Sequence, residues 1–476
     1  MKALYKLFIL ILFLPLAASA QNSIPDNSSQ RGNDKTISIR AIDLPKDTVD
    51  KNGVKSAKQI KKEAAEAKKA AETKKPEDPV QTDLISADKN ALFTDKAKFT
   101  FTVKNNTGGP IEGKVSYQVF TMTGEKLNKD SISVKVGVKD KKGYDFEIPE
   151  AKAGFYKVNF MINVTDYDDT TRRAFGIRPQ ELTSVHKKPV DFEAFWKTTR
   201  AELNKIAPNF KTTLVKDSLG RHIYAIEMKS LDNLTIRGWM TVPIGHHKYP
   251  VWLGLPGYQV NLTPIVTDDD DLAIITLNVR GQGNSRDVIA TPKDEYISYH
   301  IEDKDRYVMR GAIMDCIRCI DYIMSRKDLD HDRIFVTGGS MGGYLTVATA
   351  ALDDRVTICS AQNPIFSDVR QLVGEVQWPM SDMIKYTKTR PGLSVDKMLD
   401  NLDYFDIKNF APKINCPMLM AIGLLDPLAP PNNEYISYNI FGGDKKLLVY
   451  KDKGHETGEN FGTIEAKWMQ EAFALF

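Results

Sequence analysis

Ser340, Asp426 and His455 are the residues around which chemistry could be built. Ser340 lies in the stretch FVTGGSMGGYL, residues 335–345, where Gly338, Ser340 and Gly342 form a G-x-S-x-G pattern. The residues before it, Ile334 to Thr337, are apolar or β-branched and read as a short buried strand; those after it read as a helix. Strand, tight turn and helix is the context that lifts a serine hydroxyl above a sheet. A hydroxyl is a weak nucleophile at neutral pH, so it needs an imidazole to take its proton and a carboxylate to orient that imidazole. The chain has seven histidines, and His455 is the sole one after Ser340. Two aspartates compete for the acid. Asp426 ends the apolar run PMLMAIGLLD and is followed at once by PLAPP, whereas Asp452 follows KLLVYKD and lies nearer His455 in sequence. Proximity along the chain does not aim a carboxylate at a ring, so Asp426 is preferred. Glu456, beside the histidine, is a candidate supporting residue.

A tetrahedral intermediate also requires donors for its oxyanion. The backbone N–H after the nucleophile belongs to Met341, and a second one is expected in the loop after an earlier strand. The run VWLGLPGYQV ends such a strand and nominates Tyr258. Arg280 and Gln282, in RGQGNS, follow the strand LAIITLNV and are candidates for bracing the same loops. RGQGNS lacks the third glycine of a dinucleotide fingerprint, which argues against a nucleotide cofactor, and no cofactor is expected. Trp378, in EVQWPM, falls where a pocket wall over such a site belongs, although a core tryptophan fits as well.

These residues need a scaffold. From about residue 187 onward, an opening antiparallel pair (HIYAIEMKSL, TIRGWMTVP) precedes buried apolar strands that alternate with helical stretches, a pattern that predicts a largely parallel sheet and an α/β-hydrolase domain over 181–476. Before it, residues 81–180 carry about seven short alternating strands separated by turns, which predicts a small immunoglobulin-like β-sandwich. Residues 21–80 are rich in Lys, Ala and Glu with few large apolar side chains, and read as a polar arm or linker. Residues 1–20 combine a lysine-bearing start, an apolar run and Ala18-Ser19-Ala20, the pattern of a signal peptide cleaved before Gln21. No cysteine stands at the cleavage point to take a lipid, so a periplasmic or secreted protein without an integral membrane span is expected.

The formal net charge of +3, from 65 basic and 62 acidic residues, gives no case for a nucleic-acid partner. Among the four cysteines, Cys316 and Cys319 form a C-x-x-C pair inside the helical pattern MDCIRCIDYI, without a histidine at ligand spacing. Buried helix thiols are favoured there over a redox or metal motif. Asp268 to Asp271 read as a solvated acidic turn, and no metal site is expected.

Taken together, RGQ at Arg280 to Gln282, the serine motif GGSMGG, and His455-Glu456 resemble the RGQ, GxSQG and HE signatures of the acetyl xylan esterase and cephalosporin C deacetylase family. DFEAFWKTTRAEL, TIRGWMTVP, LDYFDIKNFAPKINCP and GLLDPLAPP are similar as well, so the resemblance spans about residues 187–476. It implies a cofactor-independent serine esterase acting on acetylated xylose oligomers and related acetyl esters. Carried over by position, it makes Ser340, Asp426 and His455 the triad and the N–H groups of Tyr258 and Met341 the oxyanion hole. It also implies homo-hexamers with inward-facing sites, a packing that the extra amino-terminal region would oppose. Met341 stands where the family has glutamine, and the segment after RGQGNS is shorter than usual. A serine peptidase or other carboxylesterase on the same triad, and an inactive carbohydrate-binding protein, are the competing readings.

Overall fold

The structure, a computed structural model, describes residues 78–268, 271–292 and 295–475. The expected signal peptide, all but the last few residues of the expected arm, and Asp269 and Asp270 of the acidic turn lie outside the described residues. Residues from Val80 onward pack as one compact unit.

The amino-terminal part comprises β1 (Val80–Ser86), β2 (Leu92–Phe93), β3 (Lys96–Asn105), β4 (Ile111–Thr121), β5 (Lys126–Val136), β6 (Lys141–Pro149), β7 (Gly154–Val164) and β8 (Tyr167–Ile177). They form a three-stranded sheet, β1-β3-β6, and a five-stranded sheet, β2-β8-β7-β4-β5. All pairings are antiparallel except the short parallel one of β2 on β8. The period-two alternation read from the sequence sends Phe99, Phe101 and Val103 of β3 inward, and the same holds for Val115, Tyr117 and Val119 of β4. The two sheets meet through aromatic rings. Phe160 of β7 lies 5.3 Å from Phe99, 5.5 Å from Phe146 and 6.1 Å from Tyr117, centroid to centroid.

The carboxyl-terminal part is built on a nine-stranded sheet. Its strands are β9 (Lys211–Ser218), β10 (Arg221–Lys229), β11 (Thr235–Pro243), β12 (Tyr249–Leu255), β13 (Ala273–Asn278), β14 (Leu329–Gly339), β15 (Ile358–Gln362), β16 (Met418–Gly423) and β17 (Lys445–Tyr450), in the order β17-β16-β15-β14-β12-β13-β11-β10-β9. The six strands β12 to β17 pair in parallel, and β11, β10 and β9 add antiparallel pairings at one edge. The sequence predicts two antiparallel strands there, and the structure adds β9, a mostly exposed edge strand whose polar sequence KTTLVKDS hides it. The parallel strands β12, β13 and β16 are buried on both faces, which is why they read as unbroken apolar runs. Around the sheet lie α1 (Phe192–Asn204), α2 (Val308–Ser325), α3 (Met341–Leu352), α4 (Met380–Lys388), α5 (Val395–Leu402), α6 (Ile407–Phe410), α7 (Pro431–Asn439) and α8 (Phe461–Phe473). This is the α/β-hydrolase arrangement expected from the strand pattern. Among the described residues no helix is long and apolar enough to cross a membrane.

The smaller sheets are keyed to the large one through α7. The N–H of Phe155 on β7 donates to Oδ1 of Asn432 at 2.7 Å, and the rings of Phe155 and Tyr435 stand 5.1 Å apart. Nδ2 of Asn439 donates to the carbonyls of Pro179 and Leu182, both at 3.0 Å.

Because Phe160 touches rings from both smaller sheets, Phe160→Ala is expected to destabilise them by about 3–5 kcal/mol; a urea melt of the variant should show a clear fall in midpoint.

Candidate active site

The nucleophile turn is shaped by its glycines. β14 ends at Gly339 and α3 begins at Met341, so Ser340 alone makes the reversal, with φ 59° and ψ −119°. A non-glycine residue held at positive φ stores roughly 1–3 kcal/mol of strain, sustained here by the packing around it. A Cβ on Gly342 would come within 2.5 Å of the Leu255 carbonyl, so only glycine lets α3 start this close to β12. The Ser340 N–H donates to the Gln362 carbonyl at 2.8 Å, and the Ser340 carbonyl accepts from Tyr344 at 3.0 Å, which pins the turn to β15 and to the first turn of α3.

The other two residues arrive from neighbouring strand ends. The Asp426 loop and the His455 loop cross each other: the N–H of Leu425 donates to the Lys453 carbonyl at 2.9 Å, and Leu424 to that of Tyr450 at 3.0 Å. This crossing requires Gly423, where a Cβ would lie 2.0 Å from the Gly454 carbonyl. The outcome is a continuous chain of hydrogen bonds. Nε2 of His455 lies 2.7 Å from Oγ of Ser340, and Nδ1 of His455 lies 2.7 Å from Oδ2 of Asp426. Asp426 is fully buried, and its Oδ1 accepts from the N–H groups of Leu428 and Ala429 at 2.7 and 2.9 Å. One oxygen is therefore held by backbone while the other faces the ring. Asp452, the nearer acid in sequence, sits exposed beyond the end of β17 and makes no such bond. Glu456 is likewise exposed, and no hydrogen bond joins it to the three residues.

Met341 is buried as the first residue of α3, where a backbone N–H has no intrahelical acceptor. Tyr258 follows Gly257, whose missing Cβ would stand 3.6 Å from the Gly339 carbonyl, so this loop flanks the nucleophile turn. The Tyr258 ring packs 4.9 Å from Trp378 and 6.2 Å from Tyr296, making an aromatic wall that includes the tryptophan singled out from sequence.

Arg280 does not reach into the site. Its guanidinium is buried and grips Asp315 of α2 in bidentate fashion, Nε to Oδ2 at 3.0 Å and NH2 to Oδ1 at 2.8 Å, while NH1 meets Asp232 at 3.0 Å. Burial opposes its charge, but Asp315 and Asp232 outweigh burial and hold the guanidinium above its ordinary pKa. Gln282, also buried, extends Nε2 to within 3.6 Å of Sδ of Met341, a weak bond made to the very residue that replaces the family glutamine.

Several buried groups escaped sequence reasoning. Asp315 is a fully buried carboxylate in the middle of the largely apolar helix α2, a signal that could have matched it to a buried arginine. Asn363, held at φ 41°, follows β15 and accepts from the Gly423 N–H at 3.1 Å, so it couples the end of β15 to the base of the acid loop. Glu434, in the first turn of α7, is buried with neither carboxylate oxygen hydrogen-bonded among the described residues; burial first, and the Asp426 charge second, push its carboxyl well above the usual range. Glu465 of α8 lies beneath the nucleophile strand, accepting from Oγ1 of Thr337 at 2.6 Å, and burial raises its carboxyl to about 7. Cys316 and Cys319 are buried in α2, and burial pushes both thiols up, as suits inert helix thiols.

A strained serine at the strand-to-helix turn, a histidine and a buried aspartate from later strand ends define the α/β-hydrolase class. A family model for acetyl xylan esterase matches residues 179–472. The acetyl esterase Axe7A of Xylanibacter ruminicola is 28% identical over 325 residues, which is 62% of this chain and 70% of that one. The solved structure of acetyl xylan esterase 1 from a Thermoanaerobacterium species has a TM-score of 0.56 at 24% identity, covering 62% of this chain and 98% of its own. That of an acetyl xylan esterase from a Paenibacillus species has a TM-score of 0.55 at 26% identity with the same coverage. The chain belongs to the acetyl xylan esterase family and is a carboxylic ester hydrolase.

Asp315→Asn would leave the buried Arg280 charge undercompensated and is expected to cost about 3–5 kcal/mol, read as a lowered denaturation midpoint. For Glu465, a folded-state pKa raised from 4.5 to about 7 makes the folded protein bind the proton more tightly. Its stabilisation is fully present below about pH 4.5 and is lost as pH rises through about 7, up to about 3 kcal/mol. Glu465→Gln should flatten that part of the stability profile, as followed by thermal melts across the same pH range.

Proposed function

We propose that this protein removes acetyl groups from acetylated xylooligosaccharides or closely related acetylated sugars, with Ser340, Asp426 and His455 as its catalytic triad. The observation that carries this reading is the unbroken Ser340–His455–Asp426 hydrogen-bond chain within a chain of this family. His455 takes the proton from Ser340 as its oxygen attacks the acetyl carbonyl, then returns it to the departing sugar hydroxyl; water, activated by the same imidazole, hydrolyses the acetyl-enzyme. Asp426 holds the ring by Nδ1 and stabilises the imidazolium. The backbone N–H groups of Tyr258 and Met341 receive the developing oxyanion. Tyr258 and Trp378 supply an apolar wall on which a pyranose ring can stack. Arg280 and Gln282 act one step removed, by fixing the loop that backs the nucleophile. No role is assigned to Glu456.

We read residues 1–20 as a signal peptide and 21–80 as an arm, so that the mature protein works in the periplasm or outside the cell. Residues 81–180 are read as an immunoglobulin-like β-sandwich followed by the esterase domain at 181–476. The strand order β1-β3-β6 against β2-β8-β7-β4-β5, with β2 parallel to β8, supports that reading. A serine peptidase is disfavoured, since the family model matched over residues 179–472 is that of acetyl xylan esterase.

The deciding assay is acetate release from acetylated xylooligosaccharides. Ser340→Ala should abolish it, and Asp426→Asn should lower kcat by about 10⁴-fold while the fold persists. Release that survives in Ser340→Ala would rule out this serine as nucleophile.

A further inference from the structure

We propose that Cys416 and Cys359 form a two-thiol oxidation site, in which Cys416 takes the first sulfur of a small exogenous disulfide such as oxidised glutathione and Cys359 resolves it into an intramolecular bridge. The site lies apart from the triad, and the inference does not depend on the esterase reading.

Cys359 is the second residue of β15, and Cys416 stands two residues before β16, in the parallel pair where the Cys359 N–H donates to the Pro417 carbonyl at 3.1 Å. Their Sγ atoms are 3.8 Å apart and hydrogen-bonded, so forming a bond of about 2.0 Å needs only a small approach of two neighbouring side chains. The two thiols differ in access. Cys359 is wholly buried, whereas Cys416 is half-buried and lines a cavity of ≈ 660 Å³ together with His331, Asp332, Asp354, Arg355 and Asn415. The Cys359 hydrogen bond holds the Cys416 thiol below its ordinary pKa, while the same bond, followed by burial, pushes Cys359 up; the more accessible partner is thus the better first nucleophile.

The chemistry balances in two exchanges. The Cys416 thiolate bonds to one sulfur of the exogenous disulfide, whose S–S bond breaks, and the departing thiolate takes a proton from water. Cys359 then gives its proton to solvent, bonds to Sγ of Cys416 and releases the second thiol. Two cysteines lose two electrons and one disulfide becomes two thiols. The bridge would close the chain segment of 57 residues that carries Trp378 and helices α4 to α6, and so would clamp the wall of the active site from below.

The test exposes the folded full chain to oxidised glutathione without reductant, quenches it in acid, alkylates it under denaturing conditions and reads the intact mass. The expected product carries no glutathione, has lost two hydrogens, and has only Cys316 and Cys319 alkylated, with a peptide map joining 359 to 416. Cys359→Ala should stop at one glutathione on Cys416, and Cys416→Ser should take none. Four alkylated cysteines, a persistent adduct on the wild-type chain, or a bridge joining Cys316 to Cys319 would each overturn the proposal. The wild-type mass decides among these outcomes even if neither variant folds.

Discussion

The 2.7 Å hydrogen bond between Asp426 and His455 is the constraint to which much of the carboxyl-terminal half answers. A carboxylate can hold an imidazole in one tautomer only if its own position is fixed and water is kept from it. Both conditions are met by backbone: two N–H groups fix one oxygen, burial removes solvent, and the loop carrying the histidine is laced onto the loop carrying the acid. The parallel register of β14, β15, β16 and β17 then delivers the three side chains to the carboxyl ends of the strands, although Ser340 and His455 are 115 residues apart. The absent side chain at Gly423 is as much a part of the site as the residues that face it, because a methyl group there would drive the two loops apart.

Around this centre several charged groups are buried. Arg280 with Asp315, Lys408 with Asp406 and Asp368, and the carboxyls of Glu434 and Glu465 all lie out of solvent. Breaking a paired buried charge is costly, yet such pairs add little net stability over an apolar packing. Their value here is geometric: Arg280 ties the loop behind the nucleophile to α2, and Asp406 takes the N–H groups of Asp368 and Val369 at 2.8 and 2.7 Å, holding the segment after β15 in its strained course.

Much of this was legible from residue types and order. The serine turn is a local motif, a sole histidine after it leaves no choice of base, and a strand that stops at PLAPP marks its aspartate. The parallel strands were visible as apolar runs, and the smaller sheets as alternation. What stayed hidden depends on contacts between distant segments. Arg280 was read as a brace, but its partner Asp315 lies across 35 residues on a helix. The edge strand β9 carries charge on exposed faces and so lacks any apolar period. Glu434 and Glu465 look like ordinary helix-surface glutamates in sequence, since burial of a carboxylate is decided by what packs over it. Cys359 and Cys416 stand 57 positions apart, and only the pairing of β15 with β16 makes them neighbours.

The joint at α7 sets how the amino-terminal sheets can contribute. A module that searches a polymer on a tether needs a loose hinge, so that it can hold one part of the substrate while the reactive site samples another. Here the first turn of the helix that follows the acid loop is also the turn that receives Phe155, and its far end holds the carbonyls of Pro179 and Leu182. The sheets and Ser340 therefore belong to one compact unit. Anything grasped by the sheets would meet the serine at a single fixed spacing, which makes this architecture a ruler rather than a leash.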